Sequence, residues 1–420
     1  MLLVSWIGKI IIALSRGLGR GHGSALPGLV VEKLYPNFLG RLLGRLPDGV
    51  VLISGTNGKT TTTKIVADLL RADGYRVFTN TSGSNFTRGV ISAALPQMKR
   101  GKLEADIAVL ELDEAYATRF VDQVKPRYAL LLNVFRDQLD RFGEIDHTAD
   151  LLKYVAEKTS GVVVLNEDDS RIRRISRDAQ VKAKIAWFGY DGQASQYYTS
   201  DDELHSQKVV ASKSVSKQSV RVIELSDNVA TYQLADETRS VKLRLFGIHN
   251  ALNCAAALSL VRQIEGDKFA MERVVDNLGK IRPAFGRGEI ILVGDASVQL
   301  ILVKNPSGFQ LSLNSASGSP VMIAINDAYA DGRDVSWLWD VSFAGLANVD
   351  YVSGVRADDM AIRLTYDGVP CANIETDISV ATRRFVKKLG RGDGQIFATY
   401  TAMLKIRDVL EQMSNEVNNG

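Results

Sequence analysis

At 420 residues the chain is too long for one ordinary hydrophobic core and implies two or three domains. Hydrophobic residues at 45% and charged residues at 24% are usual for a soluble globular protein and exclude disorder over most of the length. A net charge of +3 is far from the balance of a dedicated nucleic-acid binder, so partners must be inferred from sites, and no nucleic acid is expected among them.

Leu2 to Leu14 is apolar apart from Ser5, Gly8 and Lys9, and no acidic residue occurs before Glu32. The run is shorter than the roughly 20 residues of a membrane span, and no small-residue cleavage site follows it. Two readings stay open for this stretch of an N-terminal helical segment, residues 1–45. It lies as an amphipathic helix on an anionic membrane surface, or it packs on the protein body.

From Gly49 to about Ile281, apolar strand-like runs alternate with helical stretches, the pattern of a parallel sheet covered by helices. Strands are expected at Val50 to Ser54, Arg76 to Phe78, Ile107 to Glu111, Tyr128 to Asn133 and Val162 to Asn166, with a helix over Thr60 to Ala72. Their continuous apolar character suits strands buried on both faces. Between Tyr190 and Leu245 the texture turns Ser-, Gln-, Lys- and Val-rich, and alternation in Lys208 to Ser212 and Val220 to Glu224 suggests inserted antiparallel hairpins. Helices are expected over Asn250 to Val261 and Phe269 to Leu278. A smaller α/β unit begins near Glu289, with strands at Ile290 to Val293, Val321 to Asn326, Tyr351 to Ser353 and Gln395 to Thr399.

The densest chemistry is Gly55-Thr56-Asn57-Gly58-Lys59-Thr60-Thr61, between an apolar strand and a helix. Such a loop needs glycines so that backbone N–H groups turn inward, a lysine for the β/γ-phosphates and a hydroxyl for magnesium. The general P-loop spacing requires a glycine where this chain has Ile53, so the loop is a shortened variant. Glu111 ends an apolar strand, where open parallel sheets place ligands, and a carboxylate there can hold magnesium; Asp113 and Glu114 remain possible ligands beside it. The segment Asn133 to Asp140 also follows a strand, either aiming polar groups at the same edge or capping a loop through Asp137 or Asp140. Asn250 and Asn253 stand three apart at a helix start, where they read a purine edge, or Asn250 serves as an N-cap. Cys254 and Cys371 lie far apart without a CxxC companion, so neither a disulfide framework nor a cysteine zinc site is indicated, and a reducing cytoplasm fits.

Taken together, the GTNGKTTT loop, LELDEA at Leu110 to Ala115, NVFRDQLDR from Asn133, LNEDD at Leu165 to Asp169, GIHNALN at Gly247 to Asn253 and FGR at Phe285 to Arg287 resemble the Mur ligase central domain. Lys304 to Phe309, Asn326-Asp327, Ala330 to Asp340 and Thr399 to Leu404 resemble the C-terminal part of its MurT branch, as does Arg20 to Gly28 at the other end. The resemblance implies an α/β fold: a Mur ligase central P-loop-type parallel-sheet domain over residues 46–285, with inserted hairpins over 190–245, plus a smaller C-terminal α/β domain over 286–420.

It also implies a reaction. Ligases of that branch use ATP to activate the α-carboxyl of D-glutamate in the lipid II stem peptide as an acyl phosphate, which ammonia converts to D-isoglutamine. The ammonia comes from a GatD-type class I glutaminase in a heterodimer, at the inner membrane surface, so a cytoplasmic or peripheral location is expected. On this reading Gly55 to Thr61, Asn250, Asn253 and Arg287 bind ATP, Thr60 and the catalytic carboxylate Glu111 hold magnesium, and Lys59 together with that magnesium neutralises charge during transfer. An aspartate of Ala330 to Asp340 completes the partner's Cys-His pair in trans, with Asp334 favoured over Asp331 and Asp340; a turn around Gly332 is the other use for these acids.

Two departures qualify the resemblance. Many relatives carry a four-cysteine zinc ribbon in the central domain, whereas Tyr190 to Leu245 has no cysteine, and no zinc is expected. Lys304 to Pro306 stands where amino-acid-adding Mur ligases have an aspartate-rich segment, which fits ammonia as nucleophile. The alternatives are an amino-acid-adding Mur or folylpolyglutamate-type ligase, and a non-catalytic nucleotide-binding scaffold for a glutaminase.

Overall fold

The structure, a computed structural model, describes residues 26–80, 86–135, 145–178, 180–197, 219–226, 228–245, 247–283, 287–313, 318 and 320–418. Five stretches named above lie outside the described residues: Leu2 to Leu14, Arg20 to Ala25, Arg136 to Arg141, Lys208 to Ser212, and Phe285 with Gly286. The described elements form two compact units, one up to Leu278 and one from Arg287 onward.

The first unit opens with α1 (Leu26–Leu34) and α2 (Phe38–Leu43). Their apolar residues Val31, Phe38, Leu39, Leu42 and Leu43 are buried in the same core as Val50 and Leu52. Gly28 has a packing reason to be glycine: a Cβ there would stand 2.0 Å from the Arg88 carbonyl oxygen, while the Gly28 N–H donates to Ser92 Oγ at 3.0 Å. Then come β1 (Gly49–Ser54), α3 (Lys59–Ala72), β2 (Val77–Thr79), α4 (Thr87–Gln97), β3 (Ile107–Glu111), α5 (Glu114–Val121), β4 (Tyr128–Leu131), α6 (Ile145–Lys158), β5 (Val162–Asn166), α7 (Ser170–Ile175) and β6 (Lys184–Tyr190). β3 and β4 are buried at every position, and β1 at every position after Gly49, as strands covered on both faces must be.

Three further strands, β7 (Val220–Ser226), β8 (Val229–Leu234) and β9 (Glu237–Lys242), precede α8 (Ile248–Glu265) and α9 (Met271–Leu278). The sheet order is β9-β8-β7-β6-β5-β4-β1-β3-β2. β7 pairs parallel with β6, and β8 and β9 add antiparallel, so the hairpins read from the alternation of Val220 to Glu224 continue the main sheet. β1 has β3 on one side and β4 on the other, with Ile53 opposite both Glu111 and Leu130. The chain therefore reverses its direction of strand addition at β1, which opens a crevice beyond the carboxyl ends of these three strands.

The second unit contains β10 (Arg287–Val293), β11 (Ala296–Leu302), α10 (Pro306–Leu313), β12 (Val321–Ala324), β13 (Tyr351–Ser353), α11 (Ala357–Tyr366), β14 (Ile374–Glu375), α12 (Ile378–Leu389), β15 (Asp393–Ala398) and α13 (Tyr400–Asn418). Its sheet runs β10-β11-β15-β12-β13-β14, parallel except for the β10–β11 hairpin. One face is covered by α12 and α13, through Phe385, Met403 and Ile406. The other is covered by α10, α11 and the chain around Trp337 and Phe343, where Phe309 stands edge-on to Phe343 at 5.2 Å between ring centres. Among the described residues, no helix is long and apolar enough to cross a membrane.

At the amino-terminal edge of the first sheet, a cavity of about 310 Å³ is lined by Asp48, Asp73, Tyr75, Asp106, Glu265, Lys268 and Arg273. Asp73 follows α3, Glu265 ends α8, and the single Arg273 guanidinium reaches both, at 3.1 Å and 2.7 Å. Burial, together with Asp73 alongside, pushes the Glu265 carboxyl up to about 7. A carboxyl raised in the folded state contributes stability that is complete below its unfolded value and disappears as pH rises through the folded one. Thermal unfolding of the wild type is therefore expected to fall by about 3–6 °C more than that of Glu265→Gln between pH 5 and pH 8. Equal slopes for the two proteins in differential scanning calorimetry would count against the raised Glu265 carboxyl.

Candidate functional site

Strand β1 ends at Ser54, whose hydroxyl donates to the Leu112 carbonyl oxygen at 2.8 Å and so ties β1 to the chain leaving β3. The loop that follows needs both of its glycines. Gly55 has φ +134°, and a Cβ there would meet the Asn133 backbone nitrogen and oxygen at 3.0 Å. Gly58 has φ +86°, at the N-cap of α3, and a Cβ there would stand 2.5 Å from Asn253 Oδ1. Only glycine takes such φ values without strain, and only glycine lets the neighbouring chain come this close.

The loop is held from outside by the chain after β4. The Thr56 N–H donates to the Asn133 carbonyl oxygen at 3.0 Å, and the Asn57 N–H to Asn133 Oδ1 at 2.8 Å. Asn133 Nδ2 returns a bond to the Asn57 carbonyl oxygen at 3.0 Å, while Thr56 Oγ1 accepts from the Phe135 N–H at 3.1 Å. Asp169 supports this brace one layer further out. Its carboxylate caps α7 by accepting from the N–H groups of Arg171 and Ile172, and also accepts from Val134 N–H at 2.7 Å. Burial pushes the Asp169 carboxyl up, against the pull of these three donors.

Lys59 opens α3 and is 6% exposed. Its ammonium donates to the carbonyl oxygens of Gly55 at 2.6 Å and Thr56 at 3.3 Å, and faces Asp113 at 3.2 Å and Glu114 at 3.6 Å. Thr60 Oγ1 donates to Glu111 Oε1 at 2.8 Å, which joins the α3 terminus to the end of β3. Glu111 is fixed by Asn80, whose side chain accepts from the Glu111 N–H at 3.0 Å and donates to its carbonyl oxygen at 2.8 Å. Thr61 is buried behind the loop. On α8, Asn250 and Asn253 are buried on one face, with Asn253 Nδ2 donating to Asn250 Oδ1 at 3.3 Å.

The first unit thus brings together Gly55, Thr56, Asn57, Gly58, Lys59, Thr60, Thr61, Glu111 and Asn253, with Asn250 beside the last. Chemically this is a helix N-terminus with one buried ammonium and a hydroxyl–carboxylate pair beside it, which together suit a polyphosphate with a divalent cation. Five contributors did not stand out in the sequence with these roles. Asn133 and Asp169 lay in recognised segments without a defined part to play. Asn80 follows a short strand with no motif around it, and the acids after Glu111 proved to be partners of the lysine.

Asp334 and Arg287 belong to the second unit. Arg287 is the first residue of β10, and its side chain lies outside the described atoms. Asp334 Oδ1 accepts from the Ser336 N–H at 2.8 Å at the start of the short 3₁₀ turn Ser336–Asp340, and the Ser336 hydroxyl and N–H hold its carboxyl below the usual range. Asp331 is 6% exposed and accepts from the Thr401 N–H at 2.7 Å, the Thr401 hydroxyl at 2.5 Å and the Ala328 N–H at 3.0 Å. Its bonds pin the loop to the start of α13, whereas Asp340 is exposed. Within Lys304 to Pro306, Asn305 is fully buried and caps α10 by accepting from the Gly308 N–H at 2.8 Å.

Residues 53–261 match the Mur ligase middle domain family and residues 302–403 the MurT ligase C-terminal family. The chain is similar to the MurT subunit of lipid II isoglutaminyl synthase (glutamine-hydrolyzing) of Streptococcus pneumoniae, at 29% identity over 93% of both chains. It is similar at 28% identity to the subunit of the same name from Staphylococcus aureus, over 99% of this chain and 98% of that one. Among solved structures it resembles the MurF ligase of Thermotoga maritima in complex with ADP, with a TM-score of 0.69, 19% identity, and coverage of 94% of this chain and 84% of that one. It also resembles E. coli FolC in complex with DHPP and ADP, with a TM-score of 0.62, 15% identity, and coverage of 90% and 92%. At these identities the two solved structures speak for the fold.

Proposed function

We propose, since this chain belongs to the Mur ligase family as an ATP-dependent ligase of its MurT branch, that it amidates the D-glutamate α-carboxyl of the lipid II stem peptide with ammonia from a GatD-type glutaminase partner. The coarse activity follows from the family. The acceptor, the nucleophile and the partner are inferred from the names of the MurT relatives and from the chemistry of the two units.

A carboxylate is a poor electrophile because expelling its oxygen is unfavourable. In the proposed first step a carboxylate oxygen attacks the γ-phosphorus of ATP, the bond to the ADP oxygen breaks, and an acyl phosphate forms. In the second step the ammonia nitrogen attacks the acyl carbon, the bond to the phosphate oxygen breaks, and phosphate departs as the nitrogen loses a proton. Little covalent work falls to the protein in such a transfer, so positioning and charge neutralisation dominate. Gly55 to Thr61 would cradle the phosphates, Asn250, Asn253 and Arg287 would hold the rest of the nucleotide, and Thr60 with Glu111 would hold magnesium, which supplies positive charge to the phosphate oxygens. A lipid-linked acceptor would bring the reaction to the inner membrane surface.

The observation that carries this reading is the joining of Thr60 to Glu111 at 2.8 Å beside the buried Lys59, at the point where strand addition reverses. In the second unit, Asp331 is consumed by Thr401 and Ala328, which favours Asp334 as the acid offered to the partner's histidine. The test is a co-purified complex supplied with ATP, lipid II and either glutamine or ammonium chloride. Asp334→Asn is expected to lower glutamine-driven amidation about a hundredfold or more while ammonium-driven amidation persists. A complex that hydrolyses glutamine, never amidates lipid II and is indifferent to Lys59→Ala would defeat the ligase assignment. An unchanged Asp334→Asn would move the partner's acid to Asp340.

A further inference from the structure

The acids that follow Glu111 are unexpected neighbours for a phosphate-binding lysine. Asp113 and Glu114 both face the Lys59 ammonium, at 3.2 Å and 3.6 Å, and their side chains are 31% and 6% exposed. Neither serves as a helix cap in the usual way: Asp113 occupies the N-cap of α5 without a side-chain cap bond, and Glu114 is the first residue of that helix. With Glu111 they make three carboxylates in four residues at the end of β3. Phosphate oxygens arriving at the α3 terminus would meet these negative charges and would have to win the ammonium from two of them. A pair of carboxylates on the one lysine that should greet a polyanion weakens its hold on that polyanion.

We propose that Asp113 and Glu114 are positioning residues that hold Lys59 between turnovers, so that nucleotide must displace them to reach the ammonium and leaves more readily once the γ-phosphate is gone. The inference rests on the nucleotide-binding reading of the loop and adds to it a residue pair that sets the rate of product departure. Bound ATP, with its extra phosphate, competes for the lysine better than ADP does. The two acids then recapture the ammonium as ADP leaves, so that the lysine is never left buried and uncompensated.

The experiment is titration of the full-length protein with a fluorescent N-methylanthraniloyl-ADP in magnesium buffer, for wild type, Asp113→Asn, Lys59→Ala and the double variant. Asp113→Asn is expected to tighten binding about two- to fivefold, the range for one partly exposed charge pair. The same substitution in the Lys59→Ala background is expected to change nothing, because the acid acts through the lysine. Weaker or unchanged binding by Asp113→Asn would overturn the proposal, and so would equal tightening without Lys59, which would mark plain repulsion of the phosphates. Failure of the wild type to bind the probe at all would instead remove the nucleotide reading beneath it. Should Asp113→Asn not fold, Glu114→Gln carries the same expectations.

Discussion

Lys59→Ala is expected to lower the kcat/KM of ATP-dependent ligation about 10²–10³-fold, the range found when one preorganised group that stabilises developing charge is deleted. In water a lone ammonium contributes little, but this one is 6% exposed and held by two loop carbonyls, so its orientation is fixed before the substrate arrives. The variant also strips Glu114, itself 5% exposed, of a counter-charge, so some stability is lost with the activity. Steady-state kinetics alongside thermal unfolding separate the two effects. Activity should be gone at temperatures where the variant is still folded, and Lys59→Arg should recover part of the stability but little of the rate, because a guanidinium spreads its charge over a plane. Wild-type turnover by a folded Lys59→Ala protein would remove the lysine from the chemistry.

Gly58→Ala is expected to be the second most damaging change, by a different route. At φ +86° an alanine is disfavoured by about 1–2 kcal/mol, and its methyl group would also press on Asn253 Oδ1. The local answer is for the loop to rotate away from α8, which turns the amides at the α3 terminus from the direction they share. Nucleotide affinity is therefore expected to drop by about tenfold or more, with a loss of about 1–3 kcal/mol in urea unfolding. The double variant with Asn253→Ala should regain only part of that stability, since the clash is relieved but the backbone conformation is not. Full recovery would place the whole effect in the side-chain contact.

How far the site was legible depends on the kind of signal each residue leaves. Gly55, Gly58, Lys59 and Thr60 sit within six residues, between the apolar run Val50 to Ile53 and a helical stretch, and local spacing betrays them. Strand β3 was read as Ile107 to Glu111 and found there, because full burial leaves an unbroken apolar run bounded by polar residues. Strands β11 and β14 went unnoticed: Ala296–Leu302 mixes serine and glutamine into a half-exposed pattern, and Ile374–Glu375 is only two residues long. Asn80 was beyond reach. It is paired with Glu111 across 31 positions, and nothing near it indicates that a carboxylate is waiting there. The acids at 113 and 114 were visible as acids, but whether a carboxylate faces a metal, water or a lysine is decided by tertiary distance. Asp331 and Asp334 looked alike in sequence, and what sets them apart is largely the position of Thr401, 70 residues later, which ties down Asp331.

The bonds from Asn133 to Thr56 and Asn57 have a consequence for anyone who would move this loop into another protein. The eight residues from Gly55 do not carry their shape with them: their backbone is clipped to an asparagine just beyond the end of a different strand, which is steadied in turn by Asp169 through its neighbour Val134. Grafted onto a host with only a strand and a helix, the segment should collapse into an ordinary turn. The smallest transplantable part is the loop together with the two successive strand ends beside it.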